Sequence, residues 1–257
     1  MAKVRLDVLV TERGLAPSRE RARAYIIAGR MMVNEQKIDK PGAAVDPECV
    51  LRLLGDELRY VSRGGLKLEG ALKLWQIDVT ERWGLDVGAS TGGFTDCLLQ
   101  HGAARVTAVD TGFGQIAMKL RQDERVRLME RCNARLLEPG ALLDPDGSGP
   151  TIMAMDVSFI SATLILPAIF AAAPTLTEAV VLVKPQFEAG REHVGRGGIV
   201  RDPKAHKLAV DKVAACVKEQ GWRVVASAES PITGAEGNHE FLLWARKAES
   251  AAERTDL

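Results

Sequence analysis

The stretch W-G-L-D-V-G-A-S-T-G-G-F-T-D, Trp83 to Asp96, reads as a short buried strand, a glycine-rich turn and a helix opening near Phe94. Leu85 and Val87 are the strand's apolar residues, and Asp86 stands at its end, just ahead of Gly88. Glycines from Gly88 to Gly93 let a ligand lie against the backbone, where a Cβ would block it. The spacing G-x-x-x-G-G differs from the G-x-G-x-x-G dinucleotide fingerprint and from the G-x-x-x-x-G-K-[ST] phosphate loop. No lysine follows the turn, so a bound phosphate has no charge partner there. An acid ahead of the loop instead suits a ligand with an ammonium group, such as the methionine end of S-adenosylmethionine. The plainer alternative is a tight strand-to-helix connection with no ligand. Arg105 to Asp110, R-V-T-A-V-D, argues against it as a second strand ending in an acid, the usual grip on ribose hydroxyls. Two such endings in succession favour a nucleoside ligand.

Outward from this stretch, strands and helices alternate. Strands are expected near 84–87, 105–110, 126–130, 151–156, 178–184, 222–228 and 240–246, and helices near 93–101, 114–122, 162–172 and 203–219. A helix over 66–75 leads in, with Lys67 in its first turn. Such alternation calls for a largely parallel sheet covered on both faces. No helix separates the last two strands, so the final one is expected to insert antiparallel.

The first 50 residues follow a different plan. Arg5 to Arg13 reads as a short amphipathic helix stopped at Gly14, and a second helix runs from an N-cap at Ser18 to a stop at Gly29. Arg19 and Arg23 share a face of that helix, with Arg30 just beyond it. Met31 to Ile38 and Cys49 to Leu54 alternate like strands of a small sheet. Gly55 to Gly65 is a polar, glycine-ended connector. The expected division is a first domain over 1–58, a linker over 59–64, a second domain over 65–248 and a charged tail over 249–257.

Composition excludes some classes of function. The formal net charge of the 257 residues is zero, yet Met1 to Lys40 holds nine Lys or Arg against five Asp or Glu. Electrostatic footprints belong to patches, so nucleic acid stays a candidate partner. The four cysteines Cys49, Cys97, Cys132 and Cys216 are scattered without C-x-x-C pairs, which fits reduced thiols and no metal site. The longest apolar stretch, Ile160 to Ala173, contains Pro167 and is too short to span a bilayer. These features fit a soluble, cytoplasmic protein with no membrane partner, and nothing in them sets an oligomeric state.

In doubly wound sheets, ligands sit outside the carboxyl ends of the strands. Asp156 ends the fourth strand, Lys184 the fifth, and Glu240 opens the last at the same edge. Lys67 lies on the helix entering the domain. A charge ending an apolar strand is costly unless paired or used. Structural ion pairs would account for any one of the four; all four beside a nucleoside site point to chemistry.

Five motifs, S-R-G-G-L-K-L, D-V-G-A-S-T-G-G-F-T, M-D-V-S-F, V-K-P-Q-F-E and G-N-H-E-F, together resemble ribose methyltransferases of the FtsJ type. Arg5-Leu6-Asp7, Ser18-Arg19, Ala22, Gly29-Arg30 and Val33-Asn34 resemble the S4-type RNA-binding module. Together the two halves are similar to the TlyA-like family, whose members are called both ribosomal RNA methyltransferases and hemolysins. The resemblance implies a Rossmann-like α/β S-adenosylmethionine-dependent methyltransferase sheet behind a small α+β RNA-binding domain. It implies a Lys–Asp–Lys–Glu tetrad, which falls on Lys67, Asp156, Lys184 and Glu240. It also implies S-adenosylmethionine as methyl donor, a cytidine 2′-hydroxyl in ribosomal RNA or a ribosomal subunit as acceptor, and no metal. The expected cofactor contacts are Asp86, Gly88, Ala89, Ser90, Gly92, Gly93, Phe94, Asp110, Asn133 and Asp156. The expected RNA contacts are Arg5, Ser18, Arg19, Arg23, Arg30 and Arg63.

The chemistry agrees. A sulfonium is already a good methyl donor, whereas a ribose hydroxyl is a poor nucleophile at neutral pH. The enzyme must align the oxygen and remove its proton. A lysine serves as base only in its neutral form, which burial and a second nearby ammonium favour. Lys184 is the expected base, Lys67 its neighbour, and Asp156 and Glu240 orient the amines. Enzymes that methylate exocyclic amines often carry an N-P-P-Y-type loop after the fourth strand. Asp156-Val157-Ser158-Phe159 stands there instead, which favours oxygen as acceptor. A hemolysin would need a spanning or strongly amphipathic membrane segment, and a non-catalytic RNA binder would not need all four charges. The glycine-rich segment Gln186 to Val200 reads as a loop able to cover RNA.

Overall fold

The computed structural model describes residues 3–54, 59–234 and 236–248. The first residues of the expected connector, 55–58, and the expected tail, 249–257, lie outside the described residues. Val4–Arg5 forms a short strand, β1, that runs into α1 (Leu6–Glu12), followed by α2 (Arg19–Ile27). Arg5 and Arg13, the ends of the helix that the sequence suggested, therefore stand at the N-cap and C-cap of α1, just outside it. Ser18 caps α2 as expected, its Oγ accepting the Arg21 N–H at 3.1 Å. The expected strand over Met31 to Ile38 is a hairpin, β2 (Met31–Val33) and β3 (Gln36–Lys37). Its two turn residues, Asn34 and Glu35, have φ of 48° and 60°, as a two-residue hairpin turn requires. β4 (Ala44–Val45) pairs with β1, and β5 (Leu51–Leu53) pairs with β2. Leu6, Val10, Tyr25, Ile26 and Met31 form a small separate core here.

The second unit opens with α3 (Gly64–Trp75) and continues β6 (Trp83–Val87), α4 (Gly93–Gln100), β7 (Arg105–Val109), α5 (Met118–Arg121), β8 (Val126–Met129), β9 (Ile152–Met155), α6 (Leu166–Ala172), β10 (Glu178–Val183), α7 (Pro185–Glu188), α8 (Pro203–Glu219), β11 (Trp222–Glu229) and β12 (Phe241–Lys247). Among the described residues its strands form one sheet in the order β11-β12-β10-β9-β6-β7-β8. β10, β9, β6, β7 and β8 are parallel, and β12 lies antiparallel between β10 and β11, as expected. Strand alternation feeds two cores. Met153, Met155 and Val181 meet the α6 and α8 side with Ile169, Val213 and Val217. Ile152, Ala154 and Leu182 meet the α3 and α4 side with Leu68, Leu72 and Leu98.

Two expected helices are shorter. The one over 114–122 reduces to α5, because Gly114 has φ +69° and the Ala117 N–H is drawn to the Thr91 carbonyl instead. The one over 162–172 divides into a 3-10 turn, Ala162–Leu164, and α6, with Pro167 in the first turn of α6 where its missing N–H costs nothing. The chain leaves β6 toward β7 and β8, then returns to place β9 on the other side of β6. The crevice between β6 and β9 is the switch point at which such sheets hold ligands.

Candidate active site

Register assembles the four charged residues. Val183 faces Phe241 across the antiparallel pair, so Lys184 and Glu240 leave the sheet side by side. Val87 faces Met155, which sets Gly88 against Asp156 at the switch point. Lys67 arrives from the other side, one turn into α3. The start of α3 reaches this edge because glycine meets glycine, a Cβ on Gly93 standing 2.9 Å from the Gly65 nitrogen.

Asp156 bridges the two lysines: its Oδ1 lies 2.5 Å from Lys184 Nζ and its Oδ2 lies 3.8 Å from Lys67 Nζ. Glu240 Oε2 lies 2.6 Å from Lys67 Nζ. Asp156 Oδ1 and Glu240 Oε2 are buried and meet the lysine ammonium groups as ion pairs. The side chains of Lys67, Asp156, Lys184 and Glu240 are 11%, 18%, 9% and 3% exposed, and their formal charges cancel. Pairing of this kind is what makes burial of four charges tolerable. Lys184 Nζ also donates to Ser158 Oγ at 2.7 Å. Ser158 is a site residue that sequence reasoning misses. Its signal lies in M-D-V-S-F, two residues beyond the aspartate.

The glycine turn supplies a cradle beside this cluster. Gly88 has φ +87°, and a Cβ there would collide with the Asp156 carbonyl. Gly88, Ala89, Ser90, Gly93 and Phe94 line a cavity with Lys67, Asp156 and Lys184. At Gly92, φ +92°, a Cβ would collide with the Leu120 side chain. Asp86 is fully buried; its Oδ2 accepts from the Thr95 N–H at 2.9 Å and the Thr95 hydroxyl at 2.6 Å. Its Oδ1 is buried without a partner. Burial pushes the Asp86 carboxyl up to about 7, the bonds from Thr95 opposing and the nearby Asp156 and Asp110 adding to the rise. Asp110 holds the turn, accepting from the Ser90 N–H at 2.8 Å and the Gly112 N–H at 2.6 Å. Asn133 is exposed and caps a 3-10 turn, its Oδ1 accepting from the Arg135 N–H.

The expected RNA contacts divide. Arg5 and Arg19 converge on the buried Asp7, Arg5 through Nε and Nη2 and Arg19 through Nε, each bond 3.0 Å. Burial raises the Asp7 carboxyl, and the two arginines outweigh it, holding it below the ordinary value. Both arginine side chains stay about half exposed. Arg23 is exposed on α2. Arg30 is anchored, donating to the Leu54 carbonyl at 2.7 Å and lying over the Tyr25 ring. Arg63 sits apart from this group, donating to the Thr233 carbonyl at the cavity's rim. The glycine-rich segment is pinned: Asn238 Oδ1 accepts the Val200 N–H and its amide donates to the Gly198 carbonyl, both at 3.0 Å. Among the described residues no group of His, Cys, Asp or Glu could hold a metal ion, and no helix is long and apolar enough to cross a membrane.

Comparison with known proteins matches the same two units. Residues 4–50 match the S4 domain, and residues 60–247 match the FtsJ-like methyltransferase family. YqxC of Bacillus subtilis, named provisionally as an rRNA methyltransferase, is 50% identical over 241 residues, 94% of this chain and 85% of that one. TlyA of Mycobacterium tuberculosis, a 16S/23S rRNA (cytidine-2′-O)-methyltransferase, is 44% identical over 245 residues, 95% of this chain and 90% of that one. A solved structure from Streptococcus thermophilus, named provisionally as a hemolysin, superposes with a TM-score of 0.73 at 46% identity, covering 97% of this chain and 90% of that one. The chain belongs to the FtsJ-like methyltransferase family and carries an S4 domain ahead of its catalytic fold.

Proposed function

We propose that this protein methylates the ribose 2′-hydroxyl of cytidine in ribosomal RNA, with S-adenosylmethionine as donor. The observation that carries the reading is the Lys67–Asp156–Lys184–Glu240 cluster, gathered at the switch point beside the glycine turn. The residues fit the donor. Asp86 Oδ1, an orphaned buried acceptor, suits an ammonium group, and the bare Gly88 backbone leaves room against the sheet edge. Asp110, each of whose oxygens accepts a backbone N–H of the neighbouring turns, suits ribose hydroxyls, and the exposed Asn133 amide suits adenine. Bound there, S-adenosylmethionine supplies an electrophilic methyl group.

The protein's own part is to align the acceptor oxygen and take its proton. In its neutral form Lys184 Nζ accepts that proton, and Asp156 at 2.5 Å balances the ammonium that forms. Ser158 Oγ fixes the direction of the amine. Lys67, held by Glu240, is left to donate to the ribose and keep its oxygen in line. The outer edges of Arg5, Arg19 and Arg23 suit phosphates of folded RNA, contacts that position a substrate without reading its sequence.

Incubating the full chain with tritiated S-adenosylmethionine and separated ribosomal subunits tests the reading. Label is expected in ribosomal RNA, at a cytidine whose 3′ phosphodiester resists alkali, because alkaline cleavage needs a free 2′-hydroxyl. No transfer to either subunit, or label on a base, would sink the proposal.

A further inference from the structure

Helix α2 carries three stripes. Ala22, Tyr25 and Ile26 face the core of the S4 domain. Arg19 and Arg23, four apart, lie on the side open to RNA. Glu20, Ala24, Ile27 and Ala28 fall at i, i+4, i+7 and i+8, a single line down the helix, and this third stripe meets the methyltransferase domain. Ala24, Ile27 and Ala28 line the same cavity as Gly88, Lys67 and Lys184.

At the head of the stripe, Glu20 Oε1 accepts the Met118 N–H at 2.9 Å. Met118 is the first residue of α5, whose own N-cap is Ala117 and offers no side-chain acceptor. Free N–H groups at a helix start need an acceptor, and a carboxylate is the favoured one. Here it comes from the other domain. The next residue back, Ala117, donates to the Thr91 carbonyl in the glycine turn at 3.1 Å. Arg21 adds a second tie, donating to the Tyr60 carbonyl at 3.0 Å.

We propose that α2 of the S4 domain is a wall of the S-adenosylmethionine pocket, seated by Glu20 as a positioning residue. The pocket is whole only while the two domains are docked. The helix that presents Arg19 and Arg23 to RNA is then the helix that closes the cofactor in, which ties substrate engagement to cofactor retention. The inference rests on the S-adenosylmethionine reading above.

Calorimetry with S-adenosylmethionine on the full chain tests it, with filter retention of ribosomal RNA measured alongside. Glu20→Ala is expected to weaken cofactor binding about tenfold, the scale of a lost hydrogen bond to a charged group. RNA retention should stay at the wild-type level. Glu20→Gln should recover most of the affinity, since an amide oxygen still accepts the Met118 N–H. Ala24→Leu, a good helix former that adds bulk on the cavity side, should also weaken cofactor binding and spare RNA retention. The proposal is overturned if Glu20→Ala and Ala24→Leu both bind cofactor like the wild type. It is equally overturned if Glu20→Ala loses cofactor and RNA affinity together, since Glu20 would then only be supporting the S4 fold. A wild-type chain that bound no S-adenosylmethionine would remove the underlying reading, a result distinct from variants that match a binding wild type.

Discussion

Asp86 ties the stability of the fold to pH. Its folded carboxyl is raised from 3.8 to about 7, so the native state holds that proton more tightly than the unfolded chain does. The stability this contributes is fully present below about pH 4 and is lost as pH rises through 7. Thermal unfolding from pH 4 to 8 is expected to show this loss in the wild type and a flatter profile in Asp86→Asn. An ammonium at Oδ1 would favour the ionised carboxylate, so calorimetry should find S-adenosylmethionine binding weaker below pH 7 and absent in Asp86→Ala. Lys184 carries a different prediction. Lys184→Ala should slow single-turnover methylation by about 10²–10⁴-fold, the usual range for a general base, with cofactor affinity retained. Lys184→Arg should fail to rescue, because a guanidinium keeps its proton at any working pH. A near-wild-type rate in the arginine variant would leave orientation and electrostatics as the whole mechanism.

At the scale of elements, the turn between β6 and α4 sets the distance between cradle and tetrad. Gly88→Ala forces a side chain into φ +87° and against the Asp156 carbonyl. Urea unfolding is expected to show a loss of about 1–3 kcal/mol, together with loss of methylation as the end of β9 is pushed from β6. Strands are the most legible elements. Ile152 to Met155 and Val180 to Val183 are apolar runs ending at a charge, and the missing helix before Glu240 signals the antiparallel β12. The helix expected over 114–122 is cut short because a hydrogen bond to Thr91, distant in sequence, holds Ala117 out of it. The four-residue charge cluster is legible because Asp156, Lys184 and Glu240 each follow or precede a strand whose place in the sheet is predictable, and Lys67 falls in the first turn of the helix that leads in. Ser158 and the α2 wall are harder: one is a common hydroxyl in a loop, the other an alanine face that sequence alone assigns to any helix.

Over the whole molecule, zero net charge conceals a division of labour. On the proposed function, Arg5, Arg19 and Arg23 offer an RNA surface, while the methyltransferase domain buries the paired charges of Lys67, Asp156, Lys184 and Glu240. Arg23→Ala should lower RNA affinity and reduce the slope of log K against log salt by about one for each phosphate no longer neutralised. Arg19→Ala should do the same and also lower the melting temperature, because the buried Asp7 loses a donor. The position of β12 has a further consequence for how the enzyme is made. During synthesis β12 leaves the ribosome after the other strands, and it must then thread between β10 and β11, delivering Glu240 to Lys67 as it does so. On the proposed function, a nascent chain that already displays Arg5, Arg19 and Arg23 therefore lacks the completed Lys67–Asp156–Lys184–Glu240 cluster. Arrested chains ending before residue 240 should bind ribosomal RNA yet transfer no methyl group, so a partly made copy is a silent competitor of the finished one.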